Sequence, residues 1–162
     1  MSGKGTPATV AATRAGIPFT LHPYHHDPGS SSYGEEAAHA LGLSPARVFK
    51  TLVAEVDGRL TVAIVPAAAS LDLKSLAAAA GGKRASMADP ADAERATGYV
   101  RGGISPLGQR KRLPTVVDES ALGFATVFVS AGRRGLQIEL APAHLVQLAD
   151  AVTAAISRPP AE

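Results

Sequence analysis

The stretch 22–27 crowds His22, Tyr24, His25, His26 and Asp27 together. Imidazoles and a carboxylate are the usual ligands of zinc or iron. His22 and Tyr24 fall on one face of a strand, and Glu35 and His39 lie four apart on one face of a helix, where they could add ligands. The spacing lacks an HExxH pattern, and His/Asp strings at strand ends also serve purely local hydrogen bonding. Both readings stand at this level.

Lys50 sits inside the apolar run VFKTLVAEV, sharing a face with Val48, Leu52 and Ala54, while Phe49, Thr51 and Val53 occupy the other. Neither face is cleanly polar, so the strand is expected to be covered on both sides over part of its length. A lysine there either carries its amine out to water or meets an anion at a cleft wall, where an ammonium suits a phosphate or a developing oxyanion. The segment Gly102-Gly103-Ile104-Ser105-Pro106-Leu107-Gly108 holds three glycines that let backbone N–H groups approach a ligand. Its spacing is neither a P-loop nor a dinucleotide fingerprint, and a plain connection is the other reading. Ser130 and Gly132 could line a pocket or form a turn. No GxSxG elbow, cysteine nucleophile or obvious carboxylate pair is present. An enzyme of this sequence would draw its nucleophile from substrate or water.

The elements that must position these groups follow from periodicity and punctuation. Thr6-Pro7 opens a helix that Gly16 stops. Residues 18–24 alternate as a strand, 25–33 form a loop, and a helix runs from about Gly34 to Leu41 before Gly42, followed by one helical turn at Ser44-Pro45. Asp57-Gly58 joins strands 48–56 and 59–66 into a hairpin. Helices are expected at 70–80 and from Asp89-Pro90 to Gly98, and a glycine-rich loop over 101–109. Strands follow at 115–117, 125–130 and 135–140, the last two joined by the turn Ala131-Gly132-Arg133-Arg134. Pro142 opens a final helix reaching about Ile156, and Arg158-Pro159-Pro160 reads as a frayed tail. Tight turns between strands demand a mixed or mostly antiparallel sheet. No repeat or composition break divides residues 1–162, so one α/β domain is expected.

Composition narrows the classes further. The 162 residues are 46% hydrophobic and 19% charged, which suits a folded chain rather than a disordered one. The absence of cysteine removes disulfides, thiolate zinc sites and iron–sulfur clusters. No apolar run approaches the roughly 18 residues of a membrane span, and the N-terminus lacks the apolar core of a secretory signal, so a cytoplasmic location is the expectation. Aromatics are only 4%, which argues against base-stacking platforms of the RRM kind. Net charge is +2, but Lys83-Arg84, Arg110-Lys111-Arg112 and Arg133-Arg134 concentrate basic residues. These are either patches for a polyanion or a solvated surface.

Six ordered motifs carry a resemblance: His22-x-Tyr24-x-His26-Asp27; Tyr33-Gly34-x-Glu36-Ala37-Ala38; Val48-Phe49-Lys50-Thr51-Leu52; Thr97-Gly98-Tyr99; the glycine-rich run 102–108; and Val129-Ser130-Ala131-Gly132-x-Arg134-Gly135-Leu136. Over about Thr6 to Leu148 the chain resembles the YbaK/EbsC family of aminoacyl-tRNA deacylases, and within it the branch acting on Cys-tRNA(Pro). The resemblance implies a mixed, barrel-like β-sheet with flanking helices, related to the editing domain of bacterial prolyl-tRNA synthetases. It implies a trans-acting enzyme without metal or cofactor that removes cysteine from proline tRNA in company with prolyl-tRNA synthetase. Lys50 becomes the essential residue. Tyr24, Tyr33, Thr51, Gly102, Ser130 and Gly132, with Gly103, Ile104, Ser105 and Pro106 of the same loop, become the substrate pocket. Gln137 stays outside that set. In this branch the substrate's own thiol attacks its ester, which agrees with the missing protein nucleophile. Arg110, Lys111, Arg112, Arg133 and Arg134 become contacts to the tRNA backbone. Sister branches remove alanine, and pocket volume separates them.

Overall fold

The computed structural model describes residues 5–30 and 32–159. Ser31 of the expected loop and Pro160 of the expected tail lie outside them. The elements are α1 (Pro7–Arg14), β1 (Thr20–Pro23), α2 (Tyr33–Leu41), β2 (Phe49–Val56), β3 (Arg59–Pro66), β4 (Ser70–Leu71), α3 (Leu73–Ala79), β5 (Ala85–Met87), α4 (Pro90–Thr97) and β6 (Thr115–Asp118). A 3-10 turn (Glu119–Gly123) leads to β7 (Val127–Arg133), β8 (Leu136–Leu140), α5 (Pro142–Ala149), β9 (Val152–Ala154) and β10 (Ser157–Arg158).

The expected mixed sheet is present. Five strands run in the order β5-β2-β3-β6-β9, three in the order β1-β8-β7, and β10 pairs with β4. β3–β6 and β6–β9 are parallel, whereas the other ladders are antiparallel. The β2–β3 hairpin turns on Asp57 (φ 50°) and Gly58 (φ 83°), the paired positive angles that match the twist of two-residue hairpins. A bridge between Val48 and Phe128 brings the start of β2 to β7 and joins the two larger sheets into the barrel-like arrangement.

Both faces of the five-stranded sheet are covered, as the pattern around Lys50 requires. Phe49, Val62, Ile64 and Val117 face Val127, Val129, Ile138 and Leu140 of the three-stranded sheet, with Ala8 and Ala12 of α1 and Leu145 of α5 closing this core. Ala54, Val56, Ala63, Val65 and Val116 meet Leu76 and Ala77 of α3 and Ile156 on the other side. Ala37 and Ala38 of α2 pack on Val48, Ala67 and Phe128, and so set α2 across the start of β2.

Three expectations are corrected. The final helix stops at Ala149, because Asp150 takes the left-handed conformation (φ 51°) and its N–H caps the helix, so the chain returns as β9 and β10. Ile156 is therefore a fully buried sheet-covering residue rather than a helix end. Ser70 begins a short strand, and α3 starts only after Asp72, whose carboxylate accepts from the Ser75 N–H at 3.1 Å. The last hairpin keeps Ala131–Arg133 within β7 through a bulge, which leaves the turn at Arg134-Gly135. β5 was not expected at all.

Candidate active site

A cavity of about 370 Å³ opens between the first half of β2, the first turn of α2, the β5–α4 segment and the loop after α4. That volume lies in the range of about 300–1,000 Å³ usual for small-ligand pockets. The cavity depends on close approach of α2. A β-carbon at Gly34 would lie 2.9 Å from that of Ala67 and 3.7 Å from that of Lys50, so a larger residue would push the helix off the strand.

Lys50 stands on the cavity wall, and its Nζ donates to the Ala67 carbonyl at 3.2 Å. Burial pushes its pKa below the ordinary lysine value, partly opposed by the negative charge of Glu35. Thr51, Ser130 and Gln137 also line the cavity, with buried Thr51 Oγ1 and Gln137 Oε1 left without hydrogen-bond partners among the described residues. Orphaned buried polar atoms cost stability and cluster where a ligand completes them. The Ser130 hydroxyl is engaged, accepting from the Gly132 N–H at 3.1 Å.

Tyr33 also lines the cavity. The Arg134 guanidinium lies 5.0 Å from its ring centroid and donates from Nε to the Arg101 carbonyl at 2.8 Å. The His26 ring stands 5.9 Å away. Gly102 (φ +83°) fits between these groups, since a β-carbon there would come within 2.7 Å of the Tyr33 ring and 2.8 Å of Arg134 Nε. Only glycine meets both demands, the positive φ and the lack of space.

Of the expected pocket residues, Lys50, Tyr33, Thr51, Gly102, Ile104 and Ser130 meet around this cavity. Tyr24 sits beside it. Burial raises the pKa of its hydroxyl, against hydrogen bonding from Gly135 and Gln137, while Glu36 adds to the rise. Gly103, Ser105, Pro106 and Gly132 lie behind the wall. Gly103 backs onto Arg133, Ser105 is fully buried with Oγ accepting from the Leu107 N–H, and Gly132 abuts Tyr99 and Thr6. Arg110, Lys111, Arg133 and Arg134 are exposed, and Arg112 pairs with Asp150 at 3.5 Å.

The histidine string does not converge. His22 Nε2 meets Glu139 at 2.8 Å, and His26 Nδ1 meets Glu36 at 2.7 Å, with the Asp27 N–H donating to the same carboxylate. Among the described residues no three metal-ligating groups come together. Sequence reasoning missed Gln137, Glu94, Arg101, Met87, Ala88 and Ala93, all of which line the cavity. Glu94 on α4 and Arg101 at the start of the glycine-rich loop carry charge, which is a usable signal. The alanines offer none, because their role is to leave room.

The cavity in this covered mixed sheet presents the half-buried Lys50 ammonium with Arg101 beside it, a setting suited to an anionic group. Residues 27–148 match the family model described as the aminoacyl-tRNA editing domain. EbsC of Enterococcus faecalis, named for Cys-tRNA(Pro)/Cys-tRNA(Cys) deacylation, is 44% identical over 126 residues, 76% of each chain. ProXp-y of Escherichia coli, named a multifunctional Ser/Thr-tRNA deacylase, is 35% identical over 88 residues, 52% of this chain and 53% of that one. A crystal structure described as a trans-editing enzyme for prolyl-tRNA synthetase superposes with TM-score 0.81 at 25% identity, over 94% of this chain and 95% of the other. The chain belongs to the aminoacyl-tRNA editing domain family, a family of aminoacyl-tRNA deacylases. Among the described residues no helix is long and apolar enough to cross a membrane.

Proposed function

We propose that residues 1–162 form one deacylase domain that removes cysteine from Cys-tRNA(Pro) in trans, in the cytoplasm and together with prolyl-tRNA synthetase. The observation that carries this reading is the Lys50 ammonium on the wall of a cavity whose hydroxyls are buried or engaged. Such a site positions and polarises an ester without supplying the attacking atom. The substrate sulfur attacks its own ester carbonyl, the carbon–sulfur bond forms, and the carbon–oxygen bond to ribose breaks. The thiol proton ends on the ribose oxygen, and water then opens the cyclic thiolactone. Lys50 anchors the terminal nucleotide. Thr51, Ser130 and the backbone amides of Gly102 and Ile104 stabilise the oxyanion, with Gly103, Ser105 and Pro106 fixing the loop. Tyr24, Tyr33 and Gly132 shape the pocket. Arg110, Lys111, Arg112, Arg133 and Arg134 meet phosphates, which adds affinity with little sequence reading, so the synthetase supplies tRNA choice. No metal or cofactor enters this scheme.

A second reading, water-driven removal of a small residue such as serine or alanine, is favoured by the similarity to ProXp-y. Deacylation of Cys-, Ala- and Ser-tRNA(Pro) by wild type and Lys50→Ala, with a chelator control, separates the two. The proposal expects rapid loss of cysteine alone, abolished in Lys50→Ala and indifferent to chelator. Turnover of alanine or serine in place of cysteine selects the second reading. No turnover of any, with prolyl-tRNA synthetase present, overturns both.

A further inference from the structure

Two opposite charges face the cavity without neutralising each other. Lys50 Nζ donates a hydrogen bond to the Ala67 carbonyl, and Glu35, in the first turn of α2, stands on the same cavity close enough to raise the Lys50 pKa. They form no ion pair among the described residues. The other carboxylates nearby are already engaged. Glu94 accepts from the Arg101 N–H at 2.8 Å, and Glu36 holds His26 and the Asp27 N–H. Glu35 alone of these acids lines the cavity with no hydrogen bond among the described residues, and it is exposed. The polar end is otherwise rich in unfilled acceptor capacity, with the buried Gln137 oxygen and Thr51 hydroxyl unpartnered.

An aminoacyl ester carries the matching pair of charges. Its α-ammonium is separated by one carbon from the carbonyl that becomes an oxyanion. We propose that Glu35 is the subsite for the free α-ammonium, so that the cavity takes esters of unblocked amino acids and refuses N-acylated ones, the chemical class of peptidyl esters. Acylation removes the positive charge and adds bulk at the carboxylate, leaving Glu35 to lose water without a partner. Glu35 is then a specificity-determining residue. This rests on the deacylase reading.

The test compares Cys-tRNA(Pro) with its N-acetyl derivative, each rate divided by the spontaneous hydrolysis of the same ester, in wild type and Glu35→Gln. Wild type is expected to favour the free amine by about tenfold or more, the scale of one charge-assisted contact. In Glu35→Gln the free-amine rate falls, the N-acetyl rate does not fall with it, and the preference collapses toward one. Equal slowing of both esters, or a preference that survives the substitution, overturns the proposal. Binding of a non-hydrolysable 3′-aminoacylamino-adenosine and its N-acetyl form supplies the independent arm. If neither ester turns over but the free amine still binds tighter through Glu35, the deacylase reading fails and the ammonium subsite stands. If binding shows no preference, the subsite fails whatever the turnover.

Discussion

The Tyr99 hydroxyl donates a 2.6 Å hydrogen bond to the carbonyl of Leu107, with both residues buried. The same ring edge lies where a β-carbon on Gly132 would be, 2.9 Å away. Tyr99 thus ties the loop carrying Gly102 and Ile104 to the bulged strand carrying Ser130, and both segments line the cavity. Tyr99→Phe leaves the Leu107 carbonyl unpaired. The expected result is a loss of about 1–3 kcal/mol in urea unfolding, with a raised KM from loosened walls. An unchanged urea midpoint would show that the tie carries no load.

With Lys50 in the role proposed above, activity is expected to depend on pH in a defined direction. The charged form is present below its pKa and lost as pH rises through it, and burial holds that pKa below the ordinary 10.5. The alkaline limb of kcat/KM, corrected for spontaneous ester hydrolysis, should therefore fall earlier than an exposed lysine would allow. Glu35→Gln removes the charge that opposes this shift, so the limb should move to still lower pH. In stability the sign is reversed. Between the folded pKa and 10.5 the unfolded chain binds more protons, so the lysine's contribution to stability rises with pH. Lys50→Ala should abolish turnover, a fall in kcat/KM of at least about 10²–10³-fold. A pH profile identical in wild type and Glu35→Gln would separate the two charges.

Asp118 fastens the C-terminal strands. It is 3% exposed, and its Oδ1 accepts from the Ile156 and Ser157 N–H groups at 2.9 and 3.0 Å. Burial raises its pKa, but hydrogen bonds from Ser120, Ile156 and Ser157 outweigh this and hold it below the ordinary 3.8. Its stabilisation is present above that value and lost as pH falls through the folded pKa. Asp118→Ala should cost about 3 kcal/mol at neutral pH. The gap from wild type should narrow by pH 3 in urea titrations. A gap independent of pH would assign the loss to packing alone.

Much of the fold was legible because its punctuation is local. Asp57-Gly58 marked the hairpin, and Gly42 and Gly98 marked helix ends, each in the left-handed conformation that glycine supplies at least cost. The end of α5 was not legible, because Asp150 adopts that conformation with no glycine to announce it. β5 and β9 are three residues each and exist because a neighbouring strand offers an open edge, which no window of sequence records. The site divides the same way. Lys50 stood out as a charge in an apolar strand, and Tyr33 and Ser130 came from motifs. Ser105 and Gly132 belonged to those motifs but support the wall from behind. Gln137 joins the cavity only through the pairing of β8 with β1 and β7.

That pairing bears on how the protein is made. Among the described residues β1, at residues 20–23, pairs with β8 alone, and the Thr6 hydroxyl bonds to the Ala131 carbonyl 125 residues later. High contact order of this kind slows folding and keeps early segments waiting for late ones. Lys50 emerges from the ribosome well before Ser130 and Gln137, and at about 5–20 residues per second several seconds separate them. A nascent chain therefore carries the Lys50 ammonium without a complete cavity around it until β7 and β8 are made and paired.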